Sequence, residues 1–351
     1  MLGRLTEPPL RPTLGDQLGS RDNALNFLRL ILAAMVILGH SWPFGGLGHH
    51  PLDAVAGIAV NGFFALSGFL IAGSRLRLPL GRYLWRRAMR IFPGFWVCLI
   101  VVAFGFAPLS TFFTGESYRL DSAVSYLWSN ATLYIRQWGV DATLQHVPVP
   151  ETWNGSLWTL YFEFGAYLIA GAALSLRWIV ERARGVFLIL LIITCVASVL
   201  ARGPLAITTN MRVEALRLGA CFLAGMVAFL WRERIVLSRG LAVVCLAVTV
   251  LAGIFLPGDW LAGVMAIPLT YLLLYFGARL RTRIGASNDV SYGVYIYACP
   301  VQQLLCLLNV PALGVAAYAF TSLVMTLPLA WLSWKFIERP ALRAAHGRIS
   351  R

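Results

Sequence analysis

The chain carries little charge for its length. Of its 351 residues, 13% are charged and 59% are hydrophobic, whereas an ordinary soluble domain is about a quarter charged. A chain this poor in charge cannot hide all of its apolar surface in a water-soluble core, and the remainder needs lipid as solvent. Paired cysteines are also missing. Cys98, Cys195, Cys221, Cys245, Cys299 and Cys306 stand singly in apolar runs with no C-x-x-C spacing. That pattern argues against a zinc site and against disulfides, and reads as small apolar packing residues. The first twenty residues have no apolar run; Arg4, Glu7, Pro8, Pro9, Arg11, Pro12 and Asp16 interrupt them. A cleavable signal peptide is therefore not expected, and residues 1–22 read as a disordered cytoplasmic arm. Neither an internal repeat nor a second soluble domain is evident.

What the chain does have is long apolar runs, at a mean hydropathy of +0.73. A helical span needs about twenty mostly apolar residues. Spans are expected near 24–42, 54–74, 91–109, 157–176, 186–202, 213–231, 239–256, 260–277, 290–309 and 315–336. The expected fold is all-α: a polytopic integral membrane helical bundle of about ten transmembrane helices. The net charge of +14 does not indicate nucleic acid, because the basic residues sit in short segments between apolar runs. Outside the membrane on the far side lie only Arg119, Arg136, Arg202, Arg212 and Arg217, and Arg29 falls inside the first span. The remaining basic residues cluster on the other side, the asymmetry expected of a protein with both termini in the cytoplasm, N-in and C-in. Residues 23–341 then form the transmembrane domain and 342–351 a cytoplasmic tail.

One expected outer connection is far longer than the rest. Residues 110–156 carry Tyr118, Tyr126, Trp128, Tyr134, Trp138 and Trp153 with Asp121, Asp141, His146 and Glu151. Loops of this length are functional or disordered. The aromatics suggest a folded cap that stacks on sugars; anchoring of Trp and Tyr at the membrane interface accounts for them equally well.

The first span contains two ionisable residues, Arg29 and His40. Such residues are costly in an apolar helix and are functional candidates by default. Eleven residues apart, they are separated by about three turns plus ~20°, so both project from one face about 16 Å apart. Ala33 and Val36 between them could leave room for a narrow substrate. The competing explanations are snorkelling of Arg29 to one interface and an ordinary interfacial role for His40.

At this point six motifs, in order, resemble the membrane-bound acyltransferase-3 family of O-acyltransferases, which modify cell-surface carbohydrates. The Arg-x10-His pattern is met by Arg29 and His40. A Phe-Phe-x-x-Ser-Gly-Phe-Leu-Ile run is Phe63 to Ile71, an arginine cluster is Arg86-Arg87-Ala88-Met89-Arg90, and a Ser-Leu-Trp-x-Leu-x-x-Glu segment is Ser156 to Glu163. The late Ser-Tyr-Gly-x-Tyr motif is Ser291 to Tyr295, and the chain closes with Lys335-Phe336-Ile337-Glu338-Arg339-Pro340. Where many members carry a histidine three residues after the late motif's tyrosine, this chain has Ala298, so a single-base mechanism rests on His40. The extracytoplasmic domain that many members add after the last span is not expected here.

The resemblance implies transfer of an acyl group, acetyl by expectation, from cytoplasmic acyl-CoA to a hydroxyl of an extracytoplasmic carbohydrate: polysaccharide, lipopolysaccharide or glycolipid. Acetyl-CoA or another acyl-CoA is then a donor substrate, and no bound cofactor or metal is expected. The partners are acyl-CoA, the acceptor and membrane lipid, with no nucleic acid, in a bacterial cytoplasmic (inner) membrane. A neutral histidine near pH 7 can take a hydroxyl proton, so His40 is assigned as general base, with an acyl-histidine relay as the variant. Glu163, about 9 Å into its span, is assigned to orient His40 or stabilise its protonated form, against a plain helix-to-helix hydrogen bond. Arg86, Arg87 and Arg90 are assigned to the donor's phosphates, which guanidinium groups suit; topology and anionic lipid explain such clusters too. Arg29 would bind pantetheine or donor phosphate along the path. Ser67, Trp158, Tyr292 and Tyr295 are assigned to substrate contact, with helix packing the alternative; Gly68 beside Ser67 would permit close approach of either donor or helix. Two rival functions remain at this level: a secondary transporter and a non-catalytic subunit serving a separate transferase.

Overall fold

The structure is a computed structural model that describes residues 12–19, 23–202, 211–255 and 261–347. In chain order the helices are α1 (Leu14–Leu18), α2 (Leu25–Gly45), α3 (Val55–Arg77), α4 (Leu80–Val101), α5 (Ala107–Thr114), α6 (Leu120–Asn130), α7 (Trp158–Ala173) and α8 (Arg177–Glu181). Then follow α9 (Ala183–Arg202), α10 (Met211–Leu230), α11 (Arg239–Phe255), α12 (Leu261–Arg279), α13 (Ser291–Leu307), α14 (Val315–Ser333) and α15 (Arg339–Gly347). Single π-helical stretches, Val102–Phe106 and Trp334–Glu338, join α4 to α5 and α14 to α15. Among the described residues there is no strand, only an isolated bridge between Thr13 and Val236. The protein is an all-helical integral membrane bundle. Among the described residues, six helices are long and apolar enough to cross a membrane: Leu25–Gly45, Pro51–Arg77, Leu80–Thr114, Ala183–Ala201, Met211–Leu230 and Val315–Gly347.

Each of the ten expected spans contains a described helix, but four of these helices are shorter. The reason is clearest for α13. It is 17 residues long, and every residue from Ser291 to Gln303 is buried. A helix surrounded by protein on all sides is apolar all round and need not meet lipid. By contrast, α9 and α11 turn Ile189, Ile193, Val196, Val243 and Ile254 outward, as lipid-facing helices do. Helices α3 and α10 cross at backbone contact. A Cβ added at Gly68 would lie 1.9 Å from the Phe222 carbonyl oxygen, and one at Gly225 equally close to that of Ala65. Small residues allow such an approach. Gly68 therefore serves helix packing, not donor access.

Two expectations change. The third span begins at Leu80, not near residue 91, and runs unbroken to Thr114, so Arg82, Arg86, Arg87 and Arg90 sit on the helix itself. Nothing in Leu80–Arg90 breaks a helix, and arginine stems lie comfortably along apolar neighbours. The described part of the N-terminal arm is ordered: Leu14 is fully buried, and Leu14 N–H donates to Ile235 O at 2.9 Å and Gly15 N–H to Arg232 O at 3.0 Å. Residues 1–11 and 20–22 of the arm, and 348–351 of the tail, lie outside the described residues.

Residues 110–156, whose aromatics suggest a folded cap, do fold, and they pack into the bundle's main hydrophobic core. Trp153 and Leu144 are wholly buried and Tyr126 nearly so. Glu116 accepts from Leu144 N–H and Gln145 N–H, both at 3.0 Å, and pairs with His146 at 2.9 Å. Asn130 accepts from Arg136 N–H and donates to Gln137 O. This network holds Leu133, Ala142, Leu144 and Glu151 at positive φ, which side chains other than glycine rarely adopt. The aromatics divide: Tyr126 and Trp153 are core, whereas Trp128, Tyr134 and Trp138 are exposed.

Candidate active site

A narrow cavity of about 20 Å³, room for about one water, opens inside the bundle among α2, α3, α7 and α13. Its polar lining is Arg29, Thr159, Glu163, Tyr292 and Tyr295, and its apolar wall includes Val60, Phe63, Phe64 and Leu160. Residues from four widely separated motifs thus share one enclosure. Ser67 stands behind the wall and donates its hydroxyl to Glu163 Oε1 at 2.8 Å. The same carboxylate oxygen accepts from Tyr167, one helical turn further along α7.

The tyrosines are tethered. Tyr292 OH donates to Ile91 O at 2.7 Å. Tyr295 OH lies 3.0 Å from Ser156 O and 2.6 Å from Thr159 Oγ1. These bonds place the start of α7 against the middle of the buried helix α13, and Trp153, Asn154, Ser156 and Leu157 just before it are buried as well. The first turn of α7 is therefore deep in the protein, so a depth counted from its first residue misplaces Glu163. Glu163 shares the cavity of Arg29, and no hydrogen bond joins it to His40. Trp158 is not part of the wall; its ring meets Phe162 edge-on at 5.7 Å.

His40 lies further along α2, off the cavity wall. Its Nδ1 is 3.6 Å from Cys299 Sγ, and its ring meets Phe44 edge-on at 5.4 Å. Among the described residues Nε2 makes no hydrogen bond. Between His40 and Arg29 the expected open stripe is closed: Ala33 and Val36 are fully buried, and Ala33 and Ile37 pack against Val294, Ala298 and Ala330. A helix as central as α13 fills the groove that small residues on α2 would otherwise leave. Phe63 both lines the cavity and packs against the Ala33–Ile37 group, so it is the side chain between the two places.

The arginine cluster divides in two. Arg90 is engaged: its Nη2 meets Asp289 at 2.5 Å, its Nη1 lies 3.7 Å from Glu338, and its guanidinium sits 5.7 Å from the Tyr292 ring centre. Ser291 donates to Asp289 and Ser333 to Glu338. Burial alone would raise the Asp289 carboxyl, but Arg90 and Arg29 outweigh it and hold the group below its usual range. Arg86 and Arg87, like Arg29, each hold a buried Nε–H with no partner. Buried donors left unpaired are costly, and each of the three would be satisfied by an anionic group.

Several residues here escaped the sequence reading. Tyr167 had a signal, its i+4 spacing from Glu163. Cys299 follows the alanine that replaces the family's common histidine, but nothing in sequence pairs it with residue 40. Asp289 sits in a loop, and Glu338 is visible only as part of the closing motif.

An internal cavity carrying a cation, a carboxylate and hydroxyls, beside a membrane-buried histidine, defines a membrane enzyme site better than a pore. Residues 22–335 match the acyltransferase domain family, and the chain belongs to that family of acyltransferases. It is 28% identical over 343 residues to the O-acetyl transferase of Shigella phage Sf6, covering 94% of this chain and 99% of that protein. It is 27% identical over 379 residues to Nodulation protein 10 of Rhizobium leguminosarum bv. viciae, covering 95% of this chain and 96% of that one. No solved structure matches the chain.

Proposed function

We propose that this acyltransferase is an O-acetyltransferase that moves the acyl group of cytoplasmic acyl-CoA to a hydroxyl of an extracytoplasmic carbohydrate, in a bacterial cytoplasmic membrane. The observation that carries the proposal is the cavity joining Arg29, Thr159, Glu163, Tyr292 and Tyr295 in a chain of this family. The name of the phage relative supports acetyl and oxygen as the transferred group and its acceptor atom.

In the proposed step His40 Nε2 takes the proton of the acceptor hydroxyl as its oxygen attacks the thioester carbonyl carbon. The carbon–sulfur bond breaks, the sulfur leaves with the proton from the imidazolium, and the products are an ester and free CoA. With Nδ1–H directed at the Cys299 sulfur 3.6 Å away, the Nε2 lone pair is the base. The unpaired Nε–H groups of Arg86 and Arg87 receive donor phosphate, and Arg29 binds the donor where it enters the cavity. Glu163 is a positioning residue, holding Ser67 and Tyr167 beside that cavity.

The test uses membranes containing equal amounts of wild type or His40→Ala, given labelled acetyl-CoA. Label should enter carbohydrate with the wild type and fall to background with the variant. Equal labelling by both proteins would remove His40 as the base. No labelling by either, across donor analogues and acceptor-rich extracts, would sink the proposed donor and acceptor.

A further inference from the structure

A second cavity lies among α9, α10 and α12 and shares no lining residue with the first. Leu191, Val227, Ala228 and Leu274 form its walls, and Leu14 and Ile235 its floor. Its cavity volume is about 200 Å³, smaller than the ~300–1,000 Å³ of pockets that enclose whole organic ligands and suited to a single narrow apolar chain. Its two polar side chains are already used. Thr270 donates to Ala266 O at 2.6 Å, and Tyr271 OH donates to Val236 O and accepts from Ser238 N–H. Water would find no partners there, and an empty apolar space forfeits dispersion contacts on every side. Ile267 lines the cavity and is 57% exposed, so the mouth opens sideways on the lipid-facing surface.

The floor is built by α1 docking on residues 231–238, where Leu237 N–H donates to Pro12 O at 3.0 Å. That segment is basic, and it borders an open cleft lined by Arg182, Arg184 and Arg232 with Glu181 as its one acid. Arg182 faces Glu181 at 3.9 Å and Arg232 Nε meets Glu233 at 3.0 Å. Arg184 has only a carbonyl, Leu230 O at 3.1 Å, so the cleft stays net positive. Arg184 and Arg234 flank the ring of Trp231, whose buried indole N–H has no partner. An apolar slot open to lipid thus ends beside a cationic cleft with an unpaired donor.

We propose that the slot holds one acyl chain of an anionic phospholipid, whose phosphate rests on Arg184 and Arg232. Charge complementarity selects the headgroup, and the dry lining selects the chain.

The test is native mass spectrometry of the full chain released from nanodiscs of mixed phosphatidylglycerol and phosphatidylcholine. Wild type should retain one phospholipid, phosphatidylglycerol in several-fold excess over its share of the mixture. Arg184→Ala with Arg232→Ala should abolish that preference. Ala228→Phe, which fills the slot, should abolish retention of either lipid. Because filling a cavity can also disturb packing, the arginine pair decides the matter if the phenylalanine variant fails to fold. Retention by wild type without headgroup preference, or preference kept by the arginine double variant, would overturn the site.

Discussion

Two arginines three residues apart on one helix have opposite expected behaviour. Arg90 is 11% exposed and neutralised by Asp289 and Glu338, so Arg90→Ala leaves two buried carboxylates facing each other. Removing one partner of such a group costs about 3–5 kcal/mol, and the amount of folded protein should fall. Arg87 has no carboxylate partner among the described residues, and its Nε–H is unsatisfied. Arg87→Ala should leave folded amounts unchanged and raise the KM for acyl-CoA at least several-fold. A KM unchanged by Arg87→Ala would remove it from the donor site. Asp289 supplies a pH dependence of known sign. Its carboxyl titrates lower in the folded protein, so its contribution is complete above the unfolded value of ~3.9 and disappears as pH falls through the folded value. The stability gap between wild type and Asp289→Asn should stay constant from neutral pH down to mild acid and narrow only below that. At Glu163, Ser67→Ala removes one hydrogen bond worth about 1 kcal/mol. Activity should drop a few-fold, whereas Glu163→Gln, which changes the carboxylate itself, should cost much more.

At the scale of elements, the crossing of α3 and α10 is the tightest helix contact described, with backbone meeting backbone at Gly68 and Gly225. Gly225→Val would force the two helices apart at a cost of about 3 kcal/mol or more. Since α3 carries Phe63, Phe64 and Ser67 on the cavity side, that displacement should reduce activity along with folded amount. Gly253→Ala on α11, where the added atom meets nothing, is the matched control and should be neutral by thermal melting. The helices themselves were legible as apolar runs, because hydrophobic length is a local property. Where α4 begins was not, because a run of arginines imitates a loop unless their stems are known to lie against neighbours.

For the whole molecule, the arginine bias predicts an orientation in the membrane, with the 110–156 cap outside and α15 inside. Ser117→Cys in the cap should react with a membrane-impermeant maleimide applied to intact cells, and His346→Cys should react only after the membrane is opened. Both positions are exposed, whereas the native cysteines are buried or half-buried. Labelling of both from the same side would overturn the arrangement. Under the proposed function, the cap's exposed Trp128, Tyr134 and Trp138 would be the aromatics free to meet carbohydrate, since Tyr126 and Trp153 are buried.

Membrane residence and helical class follow from sequence alone, and so does the candidacy of Arg29; Glu163, Tyr292 and Tyr295 are singled out only through the family resemblance. Apolar run length and isolated ionisable groups report the cost of placing each side chain in lipid, and that cost depends on one residue and its chain neighbours. Which of those residues meet was decided only by packing. Glu163 pairs with Ser67 and Tyr167 and not with His40, because α7 starts deep against α13. Arg90 is a strut while Arg86 and Arg87 keep unpaired donors, because Asp289 and Glu338 arrive from elements some two hundred residues away. Contacts of that kind depend on how helices cross, and no local pattern encodes a crossing.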